Sequence, residues 1–372
     1  MTSRPRSLSD STGALARWFS SNARDLPWRT DRSPYRVWLS EIMLQQTQVS
    51  VVVDYFDRFT KRFPTVADLA RADVDDVLAL WSGLGYYARG RNLHRAARAV
   101  VDEHGGAFPE TTSGLTSLPG VGPYTAAAVV AFAFGGESVL VDGNVARVVS
   151  RLFDVDVPVD GAEGRARVHA HARALVDAAE QKPLHNEAMM ELGATVCTPA
   201  RPACSACPLE KHCRARARGV VDDRPMKKPK RARAAISLLA VVVDDGERIV
   251  LERRADRGLF GGTFAPPCVV ADDDEGPRAQ LTGLLTDMAL TPRRAHPRRL
   301  PAPVVVERSL THRALTFSVH HVTRPLEEAR APFVVVPLTA LAELGMSSAA
   351  RAVLSAAIPD IDRFFGAARR RR

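Results

Sequence analysis

Four cysteines fall in one short run: Cys197, six residues, Cys204, two residues, Cys207, five residues, Cys213. Thiolates so spaced can close around one metal centre, and the spacing by itself suits zinc and an iron–sulfur cluster equally. Arg201, Lys211, Arg214, Arg216 and Arg218 surround them, which points a metal-pinned loop towards a polyanion. Two carboxylates also invite chemistry. Glu41 lies among Trp38, Leu39, Ile42, Met43 and Leu44, with Gln45 and Gln48 following at i+4 and i+7 as a polar stripe on one helical face. Apolar surroundings raise the pKa of a carboxyl and make it a proton donor near neutrality. Asp142 follows Val139-Leu140-Val141 and precedes the helical run Val145–Leu152, the position of a helix N-cap. Helix N–H groups and the helix dipole would keep such a carboxylate ionised. Two acids held in unlike settings divide the roles of acid and base, as in the cleavage of glycosidic bonds.

A third element is Leu118-Pro119-Gly120-Val121-Gly122-Pro123-Tyr124, set between Leu115 and the helical run Thr125–Phe134. Gly120 and Gly122 permit a tight turn with positive φ, and Pro123 suits the first turn of a helix. The N–H groups at that helix start can hold a phosphate oxygen without reading base sequence.

These residues need elements to carry them. Apolar positions recur at helical intervals through Trp38–Phe59, Leu69–Trp81, Leu93–Val101 and Thr125–Phe134, so residues 1–217 are expected to be helical. Residues 218–235 form a basic linker, in which Pro225–Ala235 is nearly devoid of apolar side chains. Beyond it Ile236–Val243, Arg248–Leu251, Val304–Arg308, Leu315–Val322 and Phe333–Val336 have strand character, with a helix at Pro277–Met288. Residues 236–362 therefore form an α+β domain, and 363–372 a basic tail. The 372 residues carry a net charge of +9, which favours nucleic acid over a membrane surface. No run is long enough to span a bilayer, and no apolar leader opens the chain. The Arg- and Ser-rich start has the look of a transit peptide, but Leu15, Trp18 and Phe19 fit the inner face of a first helix better. A reducing compartment is expected, with Cys268 a small buried hydrophobe.

The hairpin, the segment Val141-Asp142-Gly143-Asn144-Val145-Ala146-Arg147-Val148 and the cysteine loop resemble the helix–hairpin–helix DNA glycosylase superfamily. Ser40-Glu41-Ile42-Met43-Leu44-Gln45-Gln46-Thr47-Gln48-Val49, Gly83-Leu84-Gly85-Tyr86-Tyr87 and Asn186-Glu187-Ala188-Met189-Met190-Glu191-Leu192-Gly193 resemble the adenine DNA glycosylase family within it, the MutY type. The likeness is dense from Arg24 to Cys213. It implies a [4Fe–4S] cluster on Cys197, Cys204, Cys207 and Cys213. It also implies a six-helix barrel over about residues 34–140, and an iron–sulfur module from about 1–33 with 141–217. Glu41 becomes the proton donor to adenine. Asp142 becomes the stabiliser or nucleophile at the sugar, supported by Tyr124 and Asn144. Endonuclease III types place a lysine where this chain has Tyr124, so no Schiff base and no strand cleavage are expected.

By the same resemblance Gln46 and Tyr86 enter the duplex, supported by Leu84, while Gly120 and Gly122 grip its backbone. Arg24, Trp28, Arg29 and Glu187 lie near the base pocket; Glu187 also reads as a plain helix-surface acid. The second domain resembles Nudix hydrolases and would recognise 8-oxoguanine through Thr311 and His312. Leu310 stands where the family has an aromatic, and the helix Pro277–Met288 has no glutamate for pyrophosphate hydrolysis. The expected substrate is double-stranded DNA with adenine opposite 8-oxoguanine or G, acted on by a monomer in a bacterial cytoplasm. Two other readings stand beside this one: a glycosylase of the same fold with another target base, and a catalytically silent DNA-binding protein with a four-cysteine metal centre.

Overall fold

Prolines in the first turn open the helices Pro34–Leu44 and Pro123–Phe134, where the missing N–H costs nothing. The periodic stretch from Trp38 to Phe59 is two helices, Pro34–Leu44 and Val49–Arg62. Between them Gln46 takes φ 57°, a left-handed conformation that ends the first helix. Gln45 is consequently a cap and Gln48 lies beyond the break, so the polar stripe expected to run from Glu41 through both glutamines does not form. Likewise Leu69–Trp81 divides into Val66–Arg71 and Val74–Trp81, the second capped by the Asp73 side chain on the N–H of Asp75.

The computed structural model describes residues 7–229, 234–256, 258–272, 274–288, 302–310 and 313–365. The chain divides into two compact units, Met1–Thr60 with Ala99–Lys230, and Lys61–Arg98 with Arg231–Arg372. The first unit is helical. One apolar cluster joins Leu15 and Phe19 of the helix Leu8–Asn22 to Val145, Val148, Val149 and Leu152 of Gly143–Phe153 and to Ala188, Met189 and Leu192 of Lys182–Thr195. The start of the basic linker lies along this unit. Val159 donates its N–H to the Met226 carbonyl, and the Lys228 N–H reaches the Asp160 carboxylate at 3.0 Å.

In the second unit the helical stretch 61–98 accompanies a seven-stranded mixed sheet. Its strands are β1 (Ala234–Asp244), β2 (Arg248–Arg253), β3 (Phe264–Ala265), β4 (Cys268–Val270), β5 (Val304–Ser309), β6 (Arg313–Thr323) and β7 (Phe333–Pro337). The order is β3-β2-β1-β6-β5, with β4 also pairing β1 and β7 pairing β2. β1 and β6 run parallel from Ala234↔Arg313 to Asp244↔Thr323, and the other pairs are antiparallel. Within β1, Leu238–Val243 is an unbroken apolar run because both its faces are covered. Leu238, Ala240 and Val242 face one core, closed by the helix Ser348–Ala357. Leu239, Val241 and Val243 face another, closed by the helix Pro277–Asp287. The latter helix ends one residue short of its expected boundary. Thr311 and His312 lie outside the described residues.

Candidate active site

One cavity of about 350 Å³ in the helical unit collects most of the residues singled out in sequence. Glu41, Asp142, Tyr124 and Asn144 line it, with Arg24, Trp28, Arg29, Gln46 and Glu187. Glu41 arrives from a helix whose other positions, Val37, Trp38, Leu39, Ser40, Ile42 and Met43, are buried. Glu41 itself is half-buried and lines the cavity. Burial raises its pKa to about 8, the nearby Asp142 and Glu187 add to the rise, and nothing around it opposes them. The group is therefore protonated at neutral pH.

Asp142 caps the helix Gly143–Phe153, as its place in the sequence suggested. Its Oδ1 accepts the Val145 N–H at 2.7 Å and its Oδ2 accepts the Asn144 side-chain amide at 2.9 Å. The expectation of a carboxylate held low by its cap needs correction. Burial outweighs the cap and raises the Asp142 pKa, while the contacts from Val145, Asn144 and Arg147 work against the rise. Asp142 keeps contacts that oppose the rise, whereas the influences on Glu41 all raise it. The Tyr124 phenol, buried beside both acids, is pushed up as well and stays neutral.

The cap sits in a rigid setting. Asn186 donates to the Ser138 carbonyl at 2.8 Å and accepts the Leu140 N–H at 3.4 Å, which holds the segment leading to Asp142. Arg147 reaches the Asn144 side-chain oxygen at 2.8 Å, the Gly193 carbonyl at 2.7 Å and the Cys197 carbonyl at 2.7 Å. A Cβ on Gly193 would stand 2.6 Å from the Cβ of Asn144, so the approach of these two helices requires glycine.

Glu187 is no surface acid. Arg32 grips it with two bonds of 2.9 and 3.1 Å, and Arg29 stands 3.7 Å away. One turn on, Glu191 has a fully buried side chain that binds Arg24 at 2.6 Å and Arg29 at 2.9 Å. Burial acts against its charge, yet the bonds from both arginines prevail and lower its pKa. Arg24 and Arg29, expected near base or phosphate, line the cavity with their charge engaged by Glu191. Sequence reasoning passed over Glu191 and Arg32. Two acids four apart on an otherwise apolar helix were the available signal for the first.

All four cysteines line a single hollow with Arg151 and Arg216. Among the described residues no set of three or more His, Cys, Asp or Glu side chains is placed to hold a single metal ion. Burial raises the Cys207 thiol to about 12, with its three cysteine neighbours adding to the effect, so thiolates here need a cationic centre between them. Arg151, 2% exposed, donates to Cys197 Sγ at 3.4 Å and to the Thr198 carbonyl at 2.7 Å.

In the hairpin Gly120 takes φ 75°, whereas Gly122 has the ordinary extended backbone of a helix cap and no side-chain cap replaces it. A Cβ on Gly122 would meet nothing within 4 Å, so the bare backbone leaves room outside the helix start. In the second unit, Leu84 is buried and Tyr86 is 47% exposed with φ 49°. Gln46 and Tyr86 thus share a left-handed backbone that costs a non-glycine residue on the order of 1–3 kcal/mol and tends to mark functional sites.

A family model for HhH-GPD superfamily base excision DNA repair proteins matches residues 39–162. The adenine DNA glycosylase of Buchnera aphidicola subsp. Baizongia pistaciae is 31% identical over 262 residues, covering 70% of this chain and 74% of its own. The chain belongs to the adenine DNA glycosylase family. The human family member is 48% identical over 215 residues, 55% of this chain, and the match spans only 39% of its length. Among solved structures, a thermostable thymine-DNA glycosylase superposes with a TM-score of 0.51 at 28% identity, covering 56% of this chain and 95% of that one. No helix among the described residues is long and apolar enough to cross a membrane.

Proposed function

We propose that this protein excises adenine mispaired with 8-oxoguanine or G in duplex DNA, by hydrolysis of the N-glycosidic bond and without cutting the strand. The observation that carries the reading is the shared cavity in which Glu41, protonated up to about pH 8, faces Asp142. The adenine leaves the stack at a cost of roughly a few kcal/mol. Glu41 donates its proton to a ring nitrogen, N7 by resemblance, and the base departs neutral. Asp142, whose contacts with Val145 and Asn144 favour its ionised form, stabilises the cationic sugar or bonds to it transiently until water adds. Asn144 and Tyr124 hold that carboxylate, and a phenol at residue 124 gives no Schiff base. By resemblance Gln46 enters the duplex, and so does Tyr86, supported by the buried Leu84. Gly120 and Gly122 seat a backbone phosphate.

By resemblance Cys197, Cys204, Cys207 and Cys213 would hold a [4Fe–4S] cluster, and their lining of one hollow supports this. Its contribution would be to brace the basic loop. The mixed sheet with helices on both faces suits a Nudix-like domain that senses 8-oxoguanine, with no glutamate on the helix Pro277–Asp287 for hydrolysis. A monomer in a bacterial cytoplasm, with DNA as its partner, completes the reading.

The test is a panel of duplexes with one mispair each, assayed for alkali-labile sites. Adenine release opposite 8-oxoguanine and G is expected. Release of thymine opposite G or of oxidised pyrimidines, no release at all, or a borohydride-trapped adduct would overturn the proposal.

A further inference from the structure

The turn from Ser82 to Tyr87 ought to wander. Gly83 and Gly85 have φ 101° and 73°, and Tyr86 projects an exposed ring from a strained backbone. Local bonds account for part of its order: Arg89 reaches the Leu84 carbonyl at 3.0 Å, and the Trp81 indole donates to the Gly85 carbonyl at 3.1 Å. The rest comes from the far end of the chain. The Met346 carbonyl accepts the Tyr87 hydroxyl after the turn and the Ser82 hydroxyl, at 3.1 Å, before it. One oxygen with two lone pairs thus gathers both ends of the turn. That oxygen is itself fixed. Gly345 accepts the Phe264 N–H of β3 at 2.9 Å, and Ser347 caps the helix Ser348–Ala357 through the Ala350 N–H at 3.0 Å. Arg351 of that helix donates to the Ser82 hydroxyl at 2.8 Å.

We propose that Tyr87 is a positioning residue through which the sheet-bearing part of the chain holds the Tyr86 turn set for insertion into DNA. The inference rests on the reading that Tyr86 enters the duplex. It gives the α+β region a second task beside any contact with the base opposite adenine, namely keeping a strained wedge from relaxing.

A double-mutant cycle in the full-length protein tests it, with single-turnover adenine release from an A opposite 8-oxoguanine duplex as the readout. Tyr87→Phe removes one oxygen and leaves the ring. It is expected to slow release about fivefold, the scale of one buried neutral hydrogen bond, with an unmoved pH profile. Ser82→Ala should do the same. Tyr86→Ala should slow release at least as much, and adding Tyr87→Phe to it should change nothing further. Equal losses from Tyr87→Phe with and without Tyr86 would overturn the proposal, as would a full rate in Tyr87→Phe alongside a defective Tyr86→Ala. A full rate in Tyr86→Ala would instead remove the insertion reading, and the proposal with it.

Discussion

The cavity holds two pairs of acids that the protein treats in opposite ways. Glu187 and Glu191 sit one turn apart on one helix, and Arg24, Arg29 and Arg32 close on them. Glu41 and Asp142 come from separate helices and form no ion pair within the described residues. The first pair is held by direct arginine contacts. The second is left to burial, which lifts both members, and only Asp142 receives hydrogen bonds that resist the lift. Burial alone does not decide whether a carboxyl's pKa rises, since the side chain of Glu191 is fully buried and its pKa is lowered. What decides is whether guanidinium groups bond the carboxylate directly, as Arg24 and Arg29 bond Glu191.

The sharpest way to break this contrast is to neutralise each pair in turn. Glu41→Gln and Asp142→Asn should each slow adenine release by at least about a hundredfold while DNA affinity stays near wild type, measured by single-turnover kinetics and fluorescence anisotropy. Matching losses of affinity and rate would assign these acids a structural role. Glu191→Gln should act on stability, because Arg24 and Arg29 lose their counter-ion. A loss of about 3 kcal/mol in urea denaturation is expected from breaking a buried pair. If stability held, the clamp would not be the structural half of the contrast.

The smallest effect concerns Glu41 itself. Its folded pKa of about 8 lies above the ordinary value of 4.5. Below that ordinary value both folded and unfolded forms are protonated, and Glu41→Gln should match wild type. As pH rises the unfolded chain ionises first, so wild type loses stability until the folded carboxyl also ionises near pH 8. At pH 7 the glutamine variant should be the more stable by about 2 kcal/mol, the value of 1.36 kcal/mol per unit being reduced by water in the cavity. Urea titrations at pH 5 and pH 7 measure the difference, and a variant no more stable at pH 7 would mean that Glu41 is not held protonated.

Much of this was legible beforehand because the informative residues stand in ordered motifs. Glu41, Asp142, Tyr124 and the four cysteines each belong to a long local pattern, and the cavity and the cysteine hollow gather them as groups. Arg32 had no such pattern; in a chain with 51 lysines and arginines, one more before a helix carries no signal. The rise at Asp142 depends on neighbours far along the chain, whereas its cap is local, so only the cap could be read. The longer strands were visible through their β-branched residues. Phe264–Ala265 and Cys268–Val270 are too short to display alternation, and the break at Gln46 needed a backbone angle that glutamine seldom adopts.

Gly193 touches neither substrate nor metal loop, yet hydrogen is the one substituent for which it has space beside Asn144. The site is therefore vulnerable at a point that a survey of residues near the sugar would pass over. A single added methyl would press on the Cβ and backbone of Asn144, whose amide bonds Asp142, so on the proposed reading the expected damage is lost adenine release with DNA affinity kept.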